Sequence, residues 1–281
     1  MRPVHLPSSL AELWDLMAAH PGAALLAGGS DLLVRLRQGL GDPPALIGLE
    51  RIVELGRVQA QEPGWLFLGA MATHSLLLEH SLVREHLPIL RQALAVLGSP
   101  LIRNQGTLGG NLCTASPAGD TLAPLYALEA QVEVRSASAS RRLGMGDFIL
   151  GPGRTALKPG EVLYGVWVPQ QPAWSIAHFE KVGRRQALAI AVVSLAALIA
   201  RDESGLVTRA RLAWGSVGPT VLRVPAAEEA LLGRPLDDAS LQAAAQLARQ
   251  ALSPIDDGRA SAAYRRQVAG NLLLRLARRG S

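Results

Sequence analysis

Two stretches of the chain carry residue types that could hold a negatively charged ligand. The first is Ala23-Ala24-Leu25-Leu26-Ala27-Gly28-Gly29-Ser30-Asp31-Leu32. Here an apolar strand runs into paired glycines and at once into a helix expected to be capped by Ser30, with Asp31 in its first turn. Such a junction aims several backbone N–H groups and a helix N-terminus at one point, and glycine lets the main chain approach an anion closely. A purely structural strand-to-helix turn has the same pattern, so this segment alone leaves both readings open. The second stretch, Ile102 to Pro124, repeats the device at Gly109-Gly110 and adds Thr107, Asn111, Ser116 and Asp120. It reads as too polar and too rich in glycine for a core element. Two such cradles suit a diphosphate bridging a cleft, and Asp120 suits acceptance of a charge-assisted bond from ribose or ribityl hydroxyls. The residues therefore point to a dinucleotide held between two lobes. Neither stretch matches G-x-G-x-x-G or G-x-x-x-x-G-K-[ST], which gives no support to a nicotinamide-binding Rossmann site or a nucleotide hydrolase.

The elements that must position these turns fall into three regions. Residues 1–55 read as helix (Ser9 to Ala19), strand (Ala23 to Ala27), helix (Asp31 to Gln38) and strand (Ala45 to Leu49), a small α/β lobe punctuated by Pro21-Gly22 and Pro43-Pro44. Residues 56–172 read as a larger lobe. It has strands at Trp65 to Ala70, Gln131 to Arg135 and Val162 to Val168, and helical runs at Ser75 to His80, Pro88 to Leu97 and Leu122 to Glu129. Residues 173–281 begin with apolar strands, Ile176 to Val182, Ile190 to Ala200 and Arg209 to Ser216. Helices at Ala226 to Leu232, Ala239 to Ala251 and Ser261 to Arg279 follow, giving a sheet covered by helices. With 281 residues, 49% of them hydrophobic, each region is expected to have its own core.

Composition excludes several classes of chemistry. Cys113 is the single cysteine, which rules out an internal disulfide and a four-cysteine zinc or iron–sulfur site carried by this chain alone. The six histidines show no H-E-x-x-H or other helical metal spacing. The net charge is +5, but only Lys158 and Lys181 are lysines and the arginines are spread along the chain, with 4% aromatic residues to stack on bases; no nucleic-acid partner is expected. The densest basic run, Arg265-Arg266 to Arg279, reads as the solvated face of an amphipathic helix. The longest apolar run, Ala187 to Ala200, is too short for a membrane span, which needs about 20 residues. Residues 1–10 lack an apolar run followed by a cleavage site, so the expected compartment is the cytoplasm.

Six motifs, in order and in register, carry a resemblance that covers essentially the whole chain. They are AGGSDLL at 27–33, Gly69, Ala70 and Thr73, IRNQGTLGGNL at 102–112, ASPAGDTLAPL at 115–125, FEKVGRR at 179–185 and SPIDDGRASAAYRR at 253–266. Together they resemble the FAD-binding medium subunit of molybdenum hydroxylases of the xanthine dehydrogenase and carbon monoxide dehydrogenase type. The resemblance implies an α+β fold: a two-lobed FAD-binding domain of the vanillyl-alcohol oxidase/PCMH type, then a C-terminal α/β domain of the carbon monoxide dehydrogenase flavoprotein type. It implies that Ala27, Gly28, Gly29, Ser30, Asp31 and Leu32 hold the FAD pyrophosphate, with a second cradle at Thr107, Gly109, Gly110 and Asn111. Asp120 would bind the polar chain of the cofactor, while Leu163 and Lys181 would approach the flavin. A cation at Lys181 would stabilise the reduced ring, with a surface lysine lying over a strand as the lesser alternative. The sequence departs from the family pattern at Ser30, where threonine is commoner. It departs again at Gln186-Ala187-Leu188, where acidic residues are frequent.

The function implied is an electron relay within an oxidoreductase complex. Molybdopterin on a large partner subunit would oxidise the substrate, and a small partner subunit with two [2Fe–2S] clusters would pass electrons to this FAD. From there NAD+, oxygen or a quinone would receive them. The complex implied is a dimer of heterotrimers, and no catalytic acid, base or nucleophile is expected in this chain. A self-contained flavin oxidase is one alternative, but no substrate pocket with aromatic and acid–base residues is evident after residue 176. A flavin-free scaffold is another, against which both glycine pairs stand intact.

Overall fold

The structure is a computed structural model that describes residues 2–170, 172–185 and 188–279. Its N-terminal sheet is small and parallel, with Leu46–Gly48 at the centre between Val4–His5 and Ala24–Leu26. Parallel pairing requires crossovers, and these are supplied by the helices Leu10–Ala19 and Leu32–Arg37. The first is capped by Ser9, whose hydroxyl accepts from the Glu12 N–H at 3.2 Å. The second has Asp31 at its N-cap position, where the side chain makes no capping bond, while Ser30 is exposed and lies one residue further out. The expectation that Ser30 caps this helix is therefore corrected.

The second lobe is a five-stranded antiparallel sheet in the order Val58–Glu62, Trp65–Gly69, Val162–Pro169, Gln131–Arg135, Ser140–Gly144. Its two outer strands are polar and largely solvent-facing, so they lack the buried apolar residues that mark the inner three. The stretch from Ile102, expected to be too polar and too rich in glycine for a core element, lies instead on two short helices, Pro100–Gln105 and Leu108–Thr114, that reach the core. Leu108, Gly109 and Leu112 are buried. Ser99 and Thr107 cap the two helices, their hydroxyls accepting from Ile102 N–H and Gly110 N–H. Cap residues three positions ahead of these amides are the signal that sequence reasoning missed.

The C-terminal sheet is an antiparallel meander of Ile176–Val182, Val193–Arg201, Val207–Gly215 and Leu222–Arg223. Along Val193–Arg201 the side chains alternate between two buried faces. Ala196 and Leu198, with Phe179 and Ala213, join the core of the second lobe. Leu195, Ala197 and Ile199 join a second core under the helices Asp238–Ala251 and Ala262–Leu274. Burial on both faces explains the unbroken apolar run. The C-terminal region thus has a core of its own beneath these helices, while the other face of its sheet completes the core of the second lobe. The predicted start of the central strand at Ile190 moves to Val193, leaving Ile190 54% exposed. No helix among the described residues is long and apolar enough to cross a membrane.

Candidate cofactor site

The strand Ala24–Leu26 ends at the carboxyl edge of the parallel sheet, and Ala27 to Leu32 leave it as a tight turn. Gly29 takes φ +71°, a left-handed conformation that glycine adopts without strain. Gly28 faces the second lobe so closely that a Cβ on it would stand 1.7 Å from the Gln105 carbonyl oxygen. The N–H groups of Gly28 to Leu32 donate to no acceptor among the described residues. Five successive free N–H groups at the carboxyl end of a parallel strand form an anion cradle of the kind read from the sequence.

The second glycine pair is built differently. Leu108 N–H donates to Ala72 O at 3.0 Å, Gly109 N–H to Ala70 O at 2.8 Å, Gly110 N–H to Thr107 Oγ1 at 3.0 Å and Asn111 N–H to Thr107 O at 3.0 Å. Every amide of this turn is engaged in docking it on the strand end or in capping its own helix. Gly109 is buried, and a Cβ there would lie 2.7 Å from the Ala70 carbonyl oxygen. The expectation of a second N–H cradle is corrected: Gly109 is a packing glycine, and what the turn presents is the Gly110 backbone, the Thr107 hydroxyl and the Asn111 amide.

Ala27, Gly28, Gly29, Ser30, Asp31, Leu32, Thr107, Gly110 and Asn111 line one cavity of about 510 Å³. Asn111 also lines a larger cavity of about 600 Å³, together with Ser116 to Asp120 and segments of the C-terminal domain. Leu97 and Ile190 line both, so the two form a continuous cleft that crosses from the first lobe to the C-terminal sheet. The Asp31 carboxylate turns toward Thr114, whose Oγ1 donates to it at 3.4 Å, a contact that bridges the lobes.

Asp120 lines the larger cavity, and its partner Lys181 lines a smaller neighbouring cavity of about 180 Å³ with Val96 and Phe179. Lys181 Nζ is 2.5 Å from Asp120 Oδ2 and 2.8 Å from the Val96 carbonyl oxygen. Lys181 is thus no surface lysine, since its side chain retains 7% of its exposure. Burial pushes the Asp120 carboxyl up to about 6 against the opposing pull of Lys181. Its second oxygen, Oδ1, is buried without a partner among the described residues and belongs to a residue that lines the larger cavity. Leu163 is not brought to the cleft; it is 5% exposed in the core of the second lobe, opposite Val134 in the sheet.

Sequence reasoning gave no site role to several residues that line the cleft, among them Leu97, Ile190, His74 and Arg265. Leu97 and Ile190 are apolar members of apolar runs, which leave no chemical signal. His74 follows Thr73; it is buried, and desolvation with help from Arg103 lowers it to about 4. Arg265, expected on a solvated helix face, is 3% exposed and reaches the larger cavity from beneath. Of the family departure at Gln186-Ala187-Leu188, the first two residues lie outside the described residues, and Leu188 lines the larger cavity.

Residues 1–171 match the family model described as the FAD binding domain in molybdopterin dehydrogenase. The chain belongs to that family. Residues 177–279 match the C-terminal domain of the carbon monoxide dehydrogenase flavoprotein. The chain is 32% identical to the xanthine dehydrogenase FAD-binding subunit of Escherichia coli O157:H7 over 93% of its length and 89% of the relative's. It is 30% identical to the carbon monoxide dehydrogenase medium chain of Hydrogenophaga pseudoflava, covering 96% and 94% of the two chains. Among solved structures, it superposes on quinoline 2-oxidoreductase from Pseudomonas putida 86 with a TM-score of 0.94 at 31% identity, covering 100% of this chain and 96% of the other. The FAD-binding fold and the C-terminal domain expected from the motifs are both present, and the chain is an FAD-binding subunit of the molybdenum hydroxylase family, an oxidoreductase component that acts in a complex.

Proposed function

We propose that Ala27 to Leu32 hold the FAD pyrophosphate. Thr107, Gly110, Asn111 and Asp120 would line the path of the cofactor toward the C-terminal domain. The observation that carries this reading is the run of five free N–H groups opening on a cleft that ends at a buried carboxylate oxygen without a partner. An anion satisfies the first and a hydroxyl donor satisfies the second. Lys181, fixed by Asp120 and Val96 O, holds a positive charge at a stated place without freedom to withdraw. When bound, FAD supplies an isoalloxazine that accepts and releases one or two electrons. The chain itself binds, orients and sets the local charge, and Leu163 contributes through packing behind the sheet.

In this reading the chain passes electrons from [2Fe–2S] clusters of a small partner subunit to NAD+, oxygen or a quinone. Molybdopterin resides on a large partner subunit, in a dimer of heterotrimers within the cytoplasm. Relatives described as a nicotinate dehydrogenase FAD-subunit and as a subunit of the 6-hydroxypseudooxynicotine dehydrogenase complex favour a multi-subunit setting. The purified chain, alone or with its co-purifying proteins, should show a flavin absorption spectrum and release FAD in equimolar amount on denaturation. A colourless protein that takes up no FAD would overturn the assignment. Molybdenum and iron in the co-purified complex test the partners.

A further inference from the structure

The C-terminal wall of the larger cavity is made of three separate segments: Leu188 to Ala191, Ser216 to Pro219, and Ile255 to Arg259. All three converge on one side chain. Arg265, on the helix Ala262–Leu274, donates from Nη1 to Val192 O at 2.7 Å and to Ser216 O at 3.2 Å, and from Nη2 to Asp257 Oδ1 at 2.7 Å. Asp257 closes its own loop as well, accepting from the Arg259 N–H at 2.8 Å and the Ala260 N–H at 3.2 Å.

Ser216 links this hub to the opposite wall. It takes φ +63°, an unfavourable conformation for a residue with a side chain, and holds it through two further bonds. Its hydroxyl donates to Ala191 O at 3.0 Å. Its N–H donates to Pro117 O at 2.9 Å, three residues before Asp120 in the second lobe. A buried, planar guanidinium with donors in fixed directions therefore sets the spacing of the three loops and, through Ser216, of the loop that carries Asp120. A helix face chosen only for solubility would have no use for an arginine that is 3% exposed.

We infer that Arg265 is the positioning residue of the flavin end of the cleft: it locks the three C-terminal loops into one wall, so that bound FAD meets a rigid surface there while its pyrophosphate is held independently by the first lobe. The inference rests on the assignment of the cleft to FAD. Arg265 touches the wall and acts through it.

The test uses the FAD-loaded protein and three variants. Arg265→Lys keeps the charge and loses the fork, Asp257→Ala removes one arm from a partly exposed position, and Arg266→Met is a control on the exposed neighbour, which donates to Leu252 O, away from the hub. Each is assayed for FAD content, for the visible circular dichroism of the bound flavin and for quenching of its fluorescence by acrylamide. Retained FAD, a lost visible circular-dichroism band and increased quenching are expected in Arg265→Lys and Asp257→Ala, with Arg266→Met unchanged. Superposable flavin spectra in Asp257→Ala and wild type, with FAD bound in both, would overturn the role of the hub, even if Arg265→Lys did not fold. Equal changes in all three variants would also overturn it, as a loss of general stability. Failure of the wild-type chain to bind FAD would instead defeat the assignment of the cleft.

Discussion

Asp120 and Lys181 form a buried ion pair of 2.5 Å that joins a loop of the second lobe to the first strand of the C-terminal sheet. Removing one partner strands the other's charge, which typically costs about 3–5 kcal/mol, whereas removing both is far milder. Lys181→Met should lower the thermal midpoint sharply at pH 7, and Asp120→Asn/Lys181→Met should recover much of the loss. A double-mutant cycle read by denaturant unfolding measures the coupling, and additive effects would show that the pair contributes nothing.

The same lysine has a redox consequence. If Lys181 lies beside the ring, as the family resemblance implies, its removal withdraws the charge that stabilises reduced flavin, so Lys181→Met should lower the flavin reduction potential. Potentiometric titration of the FAD-loaded variant checks this, and an unchanged midpoint would confine Lys181 to its structural role.

Asp120 and His74 should impose opposite pH dependences on the cofactor-free chain. Asp120 is raised from 3.8 to about 6 by burial, so its protonation favours the folded state below 3.8 and that contribution is lost as pH rises through about 6. His74 is lowered from 6.5 to about 4, again by burial first, so its contribution is present above 6.5 and lost as pH falls through about 4. Each contribution is on the order of 3 kcal/mol. The two slopes largely cancel between these limits in the wild type. Thermal unfolding from pH 4.5 to 7 should show Asp120→Asn to be markedly more acid-sensitive, and His74→Gln to gain stability toward acid. Parallel curves for all three proteins would contradict both directions.

The glycines of the two turns should fail in different ways. Gly28→Ala places a Cβ against the Gln105 carbonyl and should disturb the junction of the lobes, at about 1–3 kcal/mol or more, with loss of FAD. Gly110→Val projects into the cleft with its nearest neighbour, Thr107 Oγ1, at 3.0 Å. It should keep most of its stability and lose FAD retention. Calorimetry beside flavin quantification separates the two, and normal flavin content in Gly110→Val would remove that turn from the site.

The first cradle is readable because strand, paired glycine and helix are contiguous, and local pattern is what a sequence displays. The second is readable as a place but not as a device, since the acceptors that consume the Leu108 and Gly109 amides, Ala72 O and Ala70 O, come from a strand end more than thirty residues away. Asp120 is identifiable from its motif, but its pairing with Lys181 spans the boundary between domains. Arg265 is misplaced by its sequence for a related reason. Helical periodicity records that a face alternates, while the carbonyls of Val192 and Ser216 that bury this arginine are fixed only by tertiary docking. The outer strands of the second lobe escape notice because edge positions tolerate polar residues on both faces.

The central strand of the C-terminal sheet gives one row of side chains to each of two cores, with Ala196 and Leu198 completing the packing of the second lobe. The seam between the two matched family segments is therefore not a line along which the protein can be divided. A chimera that exchanged the C-terminal half with that of another subunit would have to match this row and the hub at Arg265 together, so exchange among such subunits is expected to succeed for whole chains and to fail for halves.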